Sequence, residues 1–168
     1  DGCVFDTMEL KHKECFIPAF INYYELQGAS KYAREAAEFV NLYSKSRGVN
    51  RFPALVEQLD WLSRRPEVKA RGIKVPRPEG LIKWIASESK LGNPALEKAA
   101  AETGDPDLKL AFTWSKAVND AVAAMALELL GRMDEVRQRS GEKIELRIGI
   151  GTGPVVAGVI GKMKFIYD

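Results

Sequence analysis

A chain of 168 residues is long enough to bury one ordinary core, or one domain and part of another. Hydrophobic residues make up 46% and charged residues 29%. No uninterrupted apolar run approaches the ~20 residues that span a bilayer, so a soluble chain with no membrane partner is expected. The 25 basic and 23 acidic side chains are interspersed and leave a formal net charge of +2, so no block of one sign offers a surface for nucleic acid.

The opening Asp1-Gly2-Cys3 has neither the basic leader nor the apolar stretch of a secretory signal, which makes the cytoplasm the expected location. Cys3 and Cys15 lack metal-ligand spacing, and His12 is the sole histidine. Zinc sites and Cys/His catalysis therefore lack parts, and both cysteines are expected reduced and buried.

In chain order, Thr7 predicts the cap of a helix over about 8–26, with Leu10, Ile17, Phe20, Ile21 and Tyr24 as its apolar stripe. Pro18 is expected to kink it and Gly28 to stop it. Ser30 opens a second helix whose inner face gathers Tyr32, Ala36, Phe39, Val40 and Tyr43 before Gly48. Pro53 starts a third with Leu55, Leu59 and Leu62 inward, ended by Pro66. The "GIKVPRP" stretch reads as a loop, followed by two short helices in "EGLIKWIASESK" and "NPALEKAAAE". From Asp105 an unusually long helical pattern runs through Phe112, Val118, Val122, Met125, Leu129, Met133 and Val136 to Gly141.

After Gly141 the period changes to two, with Ile144, Leu146, Ile148 and Ile150 alternating against Glu145, Arg147 and Gly149. Gly151, Gly153 and Pro154 then set a reversal into "VVAGVIG", and Gly158 and Gly161 leave room for close packing or a ligand. No Gly-x-x-x-x-Gly-Lys-Ser/Thr is present, so the run reads as a hairpin and not as a phosphate-cradling loop. The expected fold class is mainly α with a small C-terminal β part (α+β), that is, a helical bundle, a long helix and an antiparallel β-hairpin. Unpaired hairpin edges favour pairing between copies, so a homodimer is expected.

The first seven residues of "DGCVFDTMELK" resemble the end of motif I of the haloacid dehalogenase superfamily, Asp-x-Asp-Gly followed by apolar residues and Asp-Thr. By that resemblance Asp1 is the general acid/base, its backbone carbonyl holds part of Mg²⁺, and Gly2, Asp6 and Thr7 match the residues that follow. The nucleophilic aspartate would precede Asp1. The helices behind the motif resemble the helical cap of that family, over about residues 1–120, and a phosphate-bearing small molecule is the implied ligand.

"ELRIGIGTGPVVAGVIGKMKFIYD" resembles the class III nucleotidyl cyclase catalytic domain, over about residues 121–168. The resemblance implies ATP as ligand and places Asp168 at the purine contact that favours adenine. It also implies sites built at dimer interfaces.

Two families meeting inside one helix, near Val118 to Ala124, point to a catalytically incomplete chimeric chain. The alternatives are a phosphate monoester hydrolase, and an adenylate cyclase fragment that binds ATP or completes a dimeric site. Trp61, Trp84 and Trp114 are read as packing residues, and His12 between Lys11 and Lys13 as a solvated face. Arg64, Arg65, Lys69, Arg71 and Lys74, interrupted by Glu67, read as a solvated turn before an anion site.

Overall fold

A computed structural model describes residues 7–141 and the short segments 157–159 and 165–167. Among the described residues helices follow one another as α1 (Thr7–Lys11), α2 (Ile17–Tyr23), α3 (Ser30–Glu38), α4 (Arg51–Arg64), α5 (Pro66–Ala70), α6 (Glu79–Ser87), α7 (Asn93–Thr103) and α8 (Pro106–Ser140). A π-helical turn, His12–Phe16, joins α1 to α2, and a second, Phe39–Tyr43, extends α3.

The expected α+β class with its antiparallel β-hairpin is corrected by this architecture, which among the described residues is 80% helical and has no β layer. The expected strand through Ile144 to Ile150 lies outside the described residues. Two three-residue segments, β1 (Ala157–Val159) and β2 (Phe165–Tyr167), pair antiparallel with Gly158 opposite Ile166. A two-stranded ladder of three residues each is too short to stand as a layer by itself.

The π turns decide which side chains face inward. A wide turn inserts one residue into the 3.6 period and rotates what lies beyond it by about 100°. Leu10, expected in the apolar stripe, is accordingly 40% exposed, while His12, expected in solvent, is 7% exposed. In the same way Phe39 and Tyr43 swing outward and the α3 face is made by Ala33, Ala36, Ala37 and Val40. The first helical run ends at Tyr23, before Gly28, and Glu25 takes a positive φ of 54° in the turn.

Helices from α4 onward follow their sequence signals. Asn50 caps α4, its Oδ1 accepting from the Phe52 amide at 3.0 Å. Asp105 caps α8 through Oδ1, which accepts from the amides of Asp107 and Leu108 at 2.8 and 3.2 Å. Gly104 and Gly141 close α7 and α8 in the left-handed conformation, at φ of 68° and 71°.

The core is assembled from α2, α3, α4, α6, α7 and the first half of α8, around Phe20, Phe52, Leu55, Leu62, Leu81, Leu96 and Trp114. Phe52 meets Trp84 edge to face at 5.4 Å between centroids. Each such side chain, fully buried, contributes ~1.5–3 kcal/mol. Trp84 and Trp114 are the packing residues expected, whereas Trp61 is 38% exposed and lies edge-on to Phe39 beneath Arg64. The last buried residue of α8 is Ala126, beyond which Leu127, Leu129 and Val136 are exposed. No described helix is long and apolar enough to cross a membrane.

Candidate functional site

The π turn brings chemistry-bearing side chains against α4 and α8. Cys15 is a free, buried thiol with its Sγ 3.7 Å from Met125 Sδ on α8. Burial pushes its pKa up, aided by Glu14. The Phe16 ring stands between the His12 imidazole, 4.6 Å away, and Trp114, 6.4 Å away edge to face. Arg51, the first residue of α4, sets its guanidinium over that ring at 5.3 Å.

Arg51 is held from α8 through a single nitrogen. Its Nη1 donates to the Ser115 carbonyl (3.2 Å), Ser115 Oγ (3.0 Å) and Asn119 Oδ1 (2.8 Å). Ser115 Oγ in turn donates to Asn93 Oδ1 at 2.6 Å, which ties the start of α7 into the same network. Among the described residues neither Arg51 nor Lys11 has a carboxylate at ion-pair distance.

The electrostatics follow from this lack of a counter-charge. Burial lowers the pKa of Arg51, and burial together with the Arg51 charge lowers that of Lys11. His12 is pulled down to about 4, first by burial and then by Lys11 and Arg51. Its imidazole is therefore neutral at pH 7, and Nδ1 is buried with no hydrogen-bond partner among the described residues. A neutral ring whose orphaned nitrogen faces no described acceptor retains an unused donor or acceptor.

Among the described residues, two surface concavities away from this cluster can be compared. The larger, of about 570 Å³, runs between α4, the extended segment through Val75 and α6, and its walls are mostly apolar. Its carboxylates are already engaged, Glu57 by Ser46 and Asp60 by Arg64. The smaller, of about 330 Å³, sits beside α1 and the second π turn, with Arg47 and Glu9 on its wall.

Sequence reading placed function at Asp1 and Asp168, and both lie outside the described residues, as do Gly2, Cys3 and Asp6. The Arg64 to Lys74 stretch does not converge, because Arg64 and Arg65 pair with Asp60 and Glu35 and Arg71 donates to the Gly28 carbonyl. The cluster of Lys11, His12, Arg51 and Ser115 escaped notice. One signal was available in Arg51, a cation at the positive end of a helix dipole and so locally unfavourable. Among the described residues no group of three His, Cys, Asp or Glu side chains could hold a metal ion.

Comparison with known proteins bears on the other end of the chain. The family model "Adenylate and Guanylate cyclase catalytic domain" matches residues 110–168, starting inside α8. Adenylate cyclases of Mycobacterium tuberculosis and Mycobacterium bovis are each 42% identical over 48 residues, 29% of this chain and 11% of theirs. A receptor-type guanylate cyclase of Drosophila melanogaster is 55% identical over 42 residues, 24% of this chain and 3% of its own. The chain thus spans about a tenth or less of the length of these relatives. No solved structure matches. From within α8 to Asp168, the chain is similar to part of an adenylate and guanylate cyclase catalytic domain.

Proposed function

We propose that residues 110–168 serve as the nucleotide-binding segment of a class III nucleotidyl cyclase that prefers ATP, completed by a second copy or another chain. The observation that carries this reading is the family match over that segment, together with the similarity to mycobacterial adenylate cyclases. Asp168 is assigned the purine contact. A carboxylate there accepts from the exocyclic amine of adenine, whereas guanine presents a carbonyl at the same edge and is repelled. The helical bundle is a cap-type module related to the haloacid dehalogenase superfamily, joined to the cyclase-like segment within α8 in a chimeric chain.

The test is equilibrium binding of ATP and GTP to the full chain with Mg²⁺ present, repeated on Asp168→Asn. The wild type is expected to favour ATP, and the variant to lose about tenfold of that preference, the worth of one hydrogen bond to a charged group. Absence of nucleotide binding, or a preference unchanged by the substitution, overturns the assignment.

A second reading, phosphate monoester hydrolysis with Asp1 as general acid/base, draws support from two cations near His12, Lys11 on the first helical run and Arg51 at the start of α4. It requires Mg²⁺-dependent hydrolysis that Asp1→Asn abolishes. A wild-type chain without such hydrolysis ends that reading.

A further inference from the structure

One face of α4 turns away from the core and becomes the wall of a groove. Phe52, Leu55 and Leu62 point inward, whereas Pro53, Val56, Glu57 and Asp60, at spacings of three and four, line the concavity of about 570 Å³. Val75, Ile82 and Ile85 line it as well. Pro76 and Pro78 hold residues 73–78 out of a helix and keep this wall apart from α4. The segment is pinned at both ends, by the Ile73 amide on the Val68 carbonyl at 3.3 Å and by the buried Pro78. The groove is therefore formed before any ligand arrives.

Three charged side chains line it, Glu57, Asp60 and Arg77. Asp60 is neutralised by Arg64 at 2.6 Å and Arg77 by Glu79 at 2.7 Å. Glu57 accepts only from the Ser46 hydroxyl, at 2.7–2.8 Å, and among the described residues no cation lies at ion-pair distance from it. One hydroxyl hydrogen fills one of about four acceptor positions on a carboxylate and offsets none of its charge. Ser46 is itself fixed, its amide donating to Ser44 Oγ at 3.1 Å while Ser44 Oγ donates to the Val40 carbonyl at 2.8 Å. A neutral relay thus orients a carboxylate whose charge is unmatched.

We propose that this groove binds an aliphatic amine, its alkyl chain against Val56, Val75, Ile82 and Ile85 and its ammonium donating to Glu57. The volume lies within the range of small-molecule sites. Every apolar side chain on the wall is aliphatic, so the groove offers no ring on which a planar ligand could stack. Pro76 and Pro78 lack amide hydrogens, which leaves the segment poorly equipped to pair with an extended peptide. The unmatched Glu57 charge selects a cation and repels carboxylates and phosphates. The groove lies outside residues 110–168, and the proposal is independent of the cyclase reading.

The competing account makes Glu57 only a latch for Ser46, with no ligand. Hexylammonium, hexanol and hexanoate, titrated into the full chain and followed by backbone amide NMR, separate the two. Hexylammonium is expected to shift amides of α4, 73–78 and α6 saturably, with a Kd in about the millimolar range. Hexanol is expected to bind about tenfold more weakly, and hexanoate more weakly still. Glu57→Gln keeps an oxygen for Ser46 and removes the charge, so it is expected to erase the preference for hexylammonium over hexanol. Ser46→Ala removes the latch and keeps the charge, and is expected to retain a preference for the amine. Equal binding of hexylammonium and hexanol, a preference that survives Glu57→Gln, or shifts seen only with a lysine-containing peptide overturns the proposal.

Discussion

The neutral, buried His12 ties the stability of the bundle to pH. The unfolded chain takes up a proton on this imidazole near 6.5, whereas the folded chain refuses it until about pH 4. Between those values the unfolded state binds more protons, so stability falls as pH falls. The contribution is whole above about 6.5 and is lost progressively down to about 4. At about 1.4 kcal/mol for each pH unit of that gap, the full loss amounts to about 3 kcal/mol. For a chain of this size it corresponds to a Tm lower by roughly 6–12 °C. Carboxylates titrate in the same range, so the quantity to read is the difference between wild type and His12→Gln. Urea unfolding of both, in chloride buffers at pH 7, 5.5 and 4, supplies it. The wild type is expected to lose about 3 kcal/mol more than the variant over that range. Parallel losses in the two proteins refute the claim that His12 is held neutral by burial and by its cationic neighbours.

Gly80 in α6 faces the cap of α8, and a Cβ added there would collide with the Asp105 carboxylate, which caps the Asp107 and Leu108 amides. Gly80→Ala is therefore expected to destabilise the protein by about 1 kcal/mol through loss of that cap. In an Asp105→Ala background the same substitution becomes neutral or stabilising by up to ~1 kcal/mol, as helix propensity alone dictates, and a double-mutant cycle in urea checks the change of sign. Trp114→Ala is expected to cost about 3–5 kcal/mol, since the ring is 1% exposed at the centre of the bundle; a loss below ~1 kcal/mol in the same assay contradicts its place in the core.

What the sequence revealed depended on whether local rules were obeyed. Caps and breakers at Pro53, Gly92, Asp105 and Gly141 announced α4, α7 and α8 because each acts within a turn of its own position. The two π turns were not legible, since periodicity reasoning assumes 3.6 residues per turn and a single inserted residue leaves no mark in composition. Their consequence reaches further than their length, turning His12 in and Leu10, Phe39 and Tyr43 out. The cluster at Arg51 was hidden for a different reason, because its partners Asn93, Ser115 and Asn119 come from α7 and α8 and meet it only once the bundle has closed.

The unbroken course of α8 has a mechanical side. The helix is clamped in the bundle as far as Ala126 and continues to Ser140 without a kink-forming proline or a change of helix type. At 1.5 Å per residue the stretch from Leu127 to Ser140 is a rod about 20 Å long. A tilt of ~10° at the clamp carries its tip about 4 Å, more than most side-chain rearrangements. The stretch similar to a cyclase catalytic domain thus contains both the fulcrum of a lever, at Ala126, and its arm as far as Ser140.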